Sequence, residues 1–139
     1  VADKEPVELS TDDAVLLMFL RLVEEDGVEV KMTVSVSGAI ISGTLIGATA
    51  YYDGITESAK SLYDNTMSKI ISKKFNDLKE AYAKQKDEDS KEESEEFSPS
   101  YIHLKDARYF NGTNDDLSKG TWWRGKVSSV DGFSFDSLT

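Results

Sequence analysis

Apolar positions along this chain recur with two periods, and the places where one gives way to the other mark the elements. Ser10 or Thr11 can cap a helix, Asp12 and Asp13 put negative charge on its first turn, and Leu9 with Ala14 fits a hydrophobic staple. Val15, Leu16, Leu17, Met18, Phe19, Leu20, Leu22 and Val23 then follow almost without interruption. That density is too high for a one-faced surface helix, so the helix is either deeply buried in its own domain or carries a second face for a partner. Asp26-Gly27 ends it, because glycine takes the left-handed cap conformation at little steric cost. Val28, Val30, Met32, Val34 and Val36 alternate with Glu29, Lys31, Thr33, Ser35 and Ser37, which is the period of a half-buried strand. Ser37-Gly38 marks a tight turn, and residues 39–48 return as a second strand. Its Gly43 and Gly47 predict a bulge, a sharp bend or a close backbone approach.

Tyr51, Tyr52 and Asp53-Gly54 are expected to close that strand. The tyrosine pair reads either as the amphipathic rim of the core or as a stacking platform. From Thr56 to Lys86 there is neither glycine nor proline, and Ala59, Tyr63, Met67, Ile70, Ile71, Phe75, Leu78 and Tyr82 recur every three or four positions. This predicts a helical insertion over 56–86, continuous or broken near Asn76-Asp77. A continuous helix would reach roughly 45 Å, longer than a domain of this size is wide, and would project or dock on another chain. Its Lys69, Lys73, Lys74 and Lys79 read as a solvated face. Asp64, Asp77 and Glu80 dilute the basic character that a membrane-surface helix needs.

Ser98-Pro99 stops any helix and opens the stretch that looks like the hairpin and the sheet centre: Tyr101 to Phe110, a turn-rich segment over 111–120, and a closing strand from Thr121 to Val130. On that strand Trp123, Gly125 and Val127 share one face, and Trp122, Arg124 and Lys126 the other. Two adjacent tryptophans cannot both point inward, so Trp122 is either covered by the long helix or exposed as an anchor, with Arg124 placed to stack on it. Asp131-Gly132 turns the chain into a last apolar alternation at Phe133 and Phe135. The pattern as a whole predicts one α+β domain over 1–139. It has a loose arm at 1–8, an N-terminal helix, and a small curved, mostly antiparallel sheet, with a long helix inserted between strand pairs.

Charge changes the picture in one place. The chain carries a formal charge of −10 over 139 residues, and the run from Asp87 to Glu96 holds seven acids against Lys91 alone. Residues 87–98 therefore read as an acidic linker or frayed helix end that cannot bury enough apolar surface to order itself. A calcium site there would need the glycine-turned ligand spacing that the run lacks. The remaining body is only mildly acidic and shows no basic patch, which opposes nucleic acid as a partner. There is no cysteine, so a reducing cytoplasm is the simpler setting. No apolar run approaches the length of a membrane span. The start, without an initiator Met or a signal-peptide apolar core, reads as a processed or trimmed end with room for native residues before Val1. Asn111-Gly112-Thr113 matches a glycosylation sequon but reads more simply as a turn.

Catalytic chemistry has little to stand on. His103 is the one histidine, on the strand face opposite Ile102 and Leu104, with no nucleophile or metal co-ligand within sequence reach. A small-ligand or enzyme reading would have to recruit Asp106 or Asp131 beside it. No cofactor or metal is implied. Tyr51, Tyr52, Trp122 and Arg124 are instead the candidate interaction residues, since large aromatics and arginine dominate protein interfaces.

Two blocks of the chain resemble the gas vesicle accessory protein U family. The first runs from Val36 through Ser37-Gly38-Ala39-Ile40-Ile41-Ser42-Gly43-Thr44-Leu45-Ile46 to Tyr52-Asp53. The second contains Tyr101-Ile102-His103-Leu104-Lys105, Ser118-Lys119-Gly120, Trp123-Arg124-Gly125-Lys126-Val127 and Val130-Asp131-Gly132-Phe133. The resemblance implies a non-enzymatic cytoplasmic protein whose partners are gas vesicle proteins or the vesicle surface, acting in assembly or clustering. It brings no catalytic or cofactor residue, and the helical middle and acidic tract are more pronounced here than in the family pattern. The reading that competes with it is a homo-oligomeric scaffold with no vesicle role. In architecture the chain also looks like a partial SH3-like or Sm-like barrel with a helical insertion, a likeness that carries no function.

Overall fold

The computed structural model describes residues 13–62, 64–91, 99–110 and 120–135. The first helix, α1 (Ala14–Asp26), starts later than the sequence pattern places it: Asp13, expected in the first turn, is the cap, and its Oδ1 accepts from the N–H groups of Val15 at 2.8 Å and Leu16 at 3.1 Å. The caps expected of Ser10 or Thr11, the Leu9 staple and the 1–8 arm fall outside the described residues. Gly27 closes the helix at φ 67°, as expected of a left-handed cap. Strands β1 (Val30–Val36) and β2 (Ala39–Ile46) pair through the two-residue turn Ser37-Gly38. Both turn residues have positive φ, 49° and 85°, as a turn matched to strand twist requires. The Ser37 N–H also donates to the Asp131 carboxylate at 2.8 Å, which helps hold that conformation.

Two helices follow: α2 (Ala48–Leu62) and α3 (Asn65–Lys91). Then come β3 (Tyr101–Phe110), β4 (Thr121–Lys126), a 3₁₀ turn at Val127–Ser129, and the short β5 (Gly132–Ser134). The sheet is antiparallel and open, in the order β4-β3-β2-β1-β5. The fold is thus α+β with a five-stranded curved sheet. The β3–β4 hairpin is not its centre, however. It forms one flank with β4 at the edge, and β2 lies in the middle.

Pairing partners share a sheet face, so the register sorts the side chains. On one face Leu16, Leu17, Leu20 and Val23 of α1 pack on Met32, Val34, Ile41, Leu45, Ile102, Leu104, Ala107 and Val127. The opposite face, at Ile46 and its partner His103, is covered by α2. One extra residue in β3 breaks the ladder on both sides, with register shifts facing Ser42/Thr44 and Leu104/Ala107. Asp106 takes up the bulge at φ 52°. Gly43 sits opposite it, where a Cβ would come within 3.0 Å of the Ala107 Cα and the Lys105 carbonyl. At Gly47 a Cβ would lie 3.2 Å from the Val23 carbonyl. Both glycines therefore do what their place in the strand predicted: one faces a bulge, the other a close approach.

The helical insertion departs from the expectation over 56–86 at both ends and in the middle. It begins at Ala48, so Tyr51, Tyr52 and Asp53-Gly54 lie on a helix and do not close a strand. The start is fixed from outside the segment: the Glu24 carboxylate accepts the Ala48 N–H at 2.7 Å. The break falls between Leu62 and Asn65, ahead of Asn76-Asp77, and Asp64 caps α3 by accepting the Met67 N–H at 2.8 Å. Because the chain turns there, α2 and α3 pair as a hairpin. The far half of α3 returns to the body, where the Lys86 ammonium donates to the Glu24 carbonyl at 2.7 Å. No 45 Å rod projects. Helix α3 runs on to Lys91, into the expected acidic linker, whose residues 92–98 lie outside the described set, as does the turn at 111–119. The closing strand stops at Lys126 because the 3₁₀ turn rolls Val127 into the core.

Candidate functional site

Three elements meet at His103. Alternation along β3 turns Ile102 and Leu104 to the α1 side and His103 to the side of the helical hairpin. Pairing sets Arg124 of β4 directly across from it. From α2, which crosses above, Tyr51 and Tyr52 bring their rings to 4.7 Å and 6.2 Å from the imidazole centroid. Tyr51 also meets Tyr52 at 5.8 Å and Trp122 at 6.4 Å, both edge-on, the arrangement that aromatic quadrupoles favour. Residues 51–52 and 122–124 are far apart in sequence, yet all four candidate interaction residues lie in this one cluster.

Their roles within it differ. Tyr52 is buried, Tyr51 and Trp122 are half-buried, and Arg124 is exposed. Trp122 lies under α2: its Nε1–H donates to the Ser58 hydroxyl at 2.9 Å, and its ring fills the space where a side chain at Gly54 would be. Arg124 does not stack on Trp122; its guanidinium lies over the Tyr101 ring, 4.0 Å from the centroid. On the opposite face of the sheet Trp123 donates from Nε1 to the Tyr109 hydroxyl at 3.0 Å.

His103 is only 4 % exposed, and neither ring nitrogen has a hydrogen-bond partner among the described residues. Burial, and then the Arg124 cation, push its pKa down to about 4, so the ring is neutral at pH 7. Burial likewise raises the Tyr51 hydroxyl, against the opposing pull of Arg124. The carboxylates that a catalytic reading would recruit are engaged elsewhere. Asp106 sits in the bulge and accepts from Arg108, and Asp131 holds the Ser37 turn.

Beside the histidine opens a pocket of about 310 Å³, lined among others by Glu24, Tyr52, Tyr82, Tyr101, His103 and Arg124. Glu24 and Tyr82 escaped the sequence reading. The Glu24 side chain is 5 % exposed, with the Lys86 ammonium 3.9 Å from its carboxylate. The Tyr82 hydroxyl is raised well above its ordinary range, first by burial and then by its hydrogen bond to Glu24. One signal could have found Glu24: it stands in the last turn of a helix, where a negative charge opposes the helix dipole and calls for compensation. Among the described residues no cluster of histidine, cysteine or carboxylates converges to hold a metal ion, and no helix is long and apolar enough to cross a membrane. The site therefore offers an aromatic floor, one exposed cation and a buried neutral imidazole, with no nucleophile and base set against each other.

A family model described as gas vesicle protein GvpU-like matches residues 13–138. No curated protein and no solved structure matches the chain.

Proposed function

The chain belongs to the GvpU-like family of gas vesicle proteins, and from that premise we propose that it is a non-enzymatic accessory protein acting in vesicle assembly or clustering through protein contacts. The observation that carries this reading is the extent of the family match, which takes in both sheet faces and the helical hairpin. The geometry supports it in a second way, since the aromatic cluster holds elements together and does not assemble reacting groups. Within the candidate residues Arg124, riding on Tyr101 with Tyr51 and Trp122 beside it, is what a partner surface can reach. Tyr52 would act from below by seating the helix. The partners in this reading are gas vesicle proteins or the vesicle surface, in the cytoplasm, without a cofactor.

The test is flotation of the purified chain with isolated gas vesicles across a salt series. Co-flotation above that of an inert acidic protein, reduced by Arg124→Ala, is the expected outcome. A chain that stays in the subnatant at every salt concentration would overturn the vesicle contact. A second reading, a homo-oligomeric scaffold, is favoured by a separate observation: apolar side chains stand exposed on α1 and α3.

A further inference from the structure

Two helices each leave an apolar stripe facing outward, and the charges bordering the stripes are opposite. On α1 the core takes Leu16, Leu17, Leu20 and Val23, while Val15, Met18 and Leu22 are left exposed, Met18 by 54 %. The turn beyond them holds Glu24, Glu25 and Asp26 and no base. That is the wrong sign for the carbonyl end of a helix. Lys86 meets Glu24, but Glu25 and Asp26 have no ion pair among the described residues. On α3, Met67 and Ile70 near the hairpin tip are 45 % and 50 % exposed, and Leu78 continues the stripe. Between Asn65 and Asn76 that helix carries Lys69, Lys73 and Lys74 and no acid. None of these lysines is paired among the described residues either.

The spacings match. Met18 to Glu25 and Met67 to Lys74 are both seven residues, about 10.5 Å along a helix. Laid parallel, Met67 falls level with Met18 and Lys74 with Glu25, while Ile70 falls level with Arg21 and one residue short of Leu22. Within one chain this contact cannot form, because α1 covers one face of the sheet and the α2–α3 hairpin the other. Pairing α1 with a second α1 about a two-fold axis brings like charges together in either direction: a parallel pair sets the acids of the two last turns side by side, and an antiparallel pair crosses the two ends. The acids of one last turn would then lie beside Asp13 of the other.

We infer that the outward stripe of α1 in one copy receives the stripe of α3 from a second copy. The giving and receiving surfaces differ, so a dimer leaves one of each unused and the assembly grows beyond it, as an open chain where the rotation between copies does not close a ring. The inference concerns this chain alone and does not rest on the vesicle reading, so flotation and the experiment below fail independently.

Sedimentation velocity on the full chain over a wide concentration range tests it. The mean mass should rise with concentration past that of a dimer. Met18→Asp, which spoils the receiving face, and Ile70→Asp, which spoils the giving face, should each be monomeric with an unchanged far-UV spectrum, since both side chains are exposed. Mixed in equal amounts, the two variants should form a 1:1 dimer and stop, because one intact face remains on each. Glu25→Lys and Lys74→Glu should each weaken association alone and recover it when mixed. A wild-type chain monomeric throughout would overturn the inference, as would an Ile70→Asp chain that still dimerises by itself. A mixture of the two aspartate variants that stays monomeric while the wild type associates would also overturn it.

Discussion

Gly54 lies in the middle of α2, where glycine is ordinarily a weakness: at an exposed helical position, exchange for alanine stabilises by about 1 kcal/mol. Here a Cβ would overlap the six-membered ring of Trp122. The indole is tied to Ser58 through its Nε1–H at 2.9 Å and meets Tyr51 edge-on, so it cannot swing aside freely. Gly54→Ala should therefore force the hydrogen bond to break, at a cost of about 1 kcal/mol, and repack a half-buried ring, at roughly 1 to 3 kcal/mol. After the helix gain the net effect is a loss of about 1 to 3 kcal/mol. Urea unfolding followed by far-UV circular dichroism should show this as a midpoint lower by about 1 M. In a Trp122→Ala background the ring is gone, and the same Gly54→Ala exchange should raise stability by about 1 kcal/mol. The double-mutant cycle then gives a coupling of about 2 to 4 kcal/mol between residues distant in sequence. If Gly54→Ala raises the midpoint in both backgrounds, α2 does not pack on Trp122 and the hairpin does not cover the sheet as described.

Acid should act through His103. Its pKa falls from the ordinary 6.5 to about 4 on folding, so the unfolded chain binds the proton more readily. Its contribution is fully present above pH 6.5 and is lost as pH drops through 4. That loss should reach about 3 kcal/mol. His103→Phe should remove this slope while leaving the slope due to carboxylates, which comparing urea midpoints of the two proteins at pH 7 and pH 4.5 would show. An imidazole proton resonance of the folded protein that titrates near 6.5 would refute the buried placement. Glu24→Ala should cost about 2 to 4 kcal/mol, because it strips the cap from α2 and leaves Lys86 without its carboxylate. Glu24→Gln keeps an acceptor for the Ala48 N–H and should cost less than half as much in the same unfolding assay.

What was legible in the sequence is what local periodicity and turn chemistry encode. Alternation from Val30 to Val36, the Ser37-Gly38 turn and the Gly27 cap each depend on residues next to one another and appear as read, while Val28, expected in the strand, lies ahead of it and is exposed. Gly43 and Gly47 were legible as places of close approach, though not what approaches them, since Lys105 and Ala107 on one side and Val23 on the other arrive from elsewhere in the chain. The start of α2 was illegible for the same reason. Residues 48–54 combine alanine, two tyrosines and a glycine, and read locally as the end of a strand. The carboxylate that caps them belongs to Glu24 and the ring that explains Gly54 belongs to Trp122.

The first helix poses the same problem with a different outcome. Its apolar density left two readings, burial in its own domain or a face for a partner, and the structure shows how both can hold. Four of its apolar residues enter the core, while Val15, Met18 and Leu22 remain outside. A helix 13 residues long, lying on one side of a sheet, can bury only about half its circumference. The described elements of a single copy leave the apolar residues beyond that half uncovered. Trp122 shows the converse. Adjacent to Trp123 on a strand, it had to face away from the main core, to be either covered by the helical insertion or exposed as an anchor. A second layer, the helical hairpin, covers it. Apolar surplus on a strand was absorbed within the chain because two further helices were available to cover it. On α1 none of the described elements does so, which is why the proposed contact between copies falls on that helix and on the lysine-bordered stripe of α3.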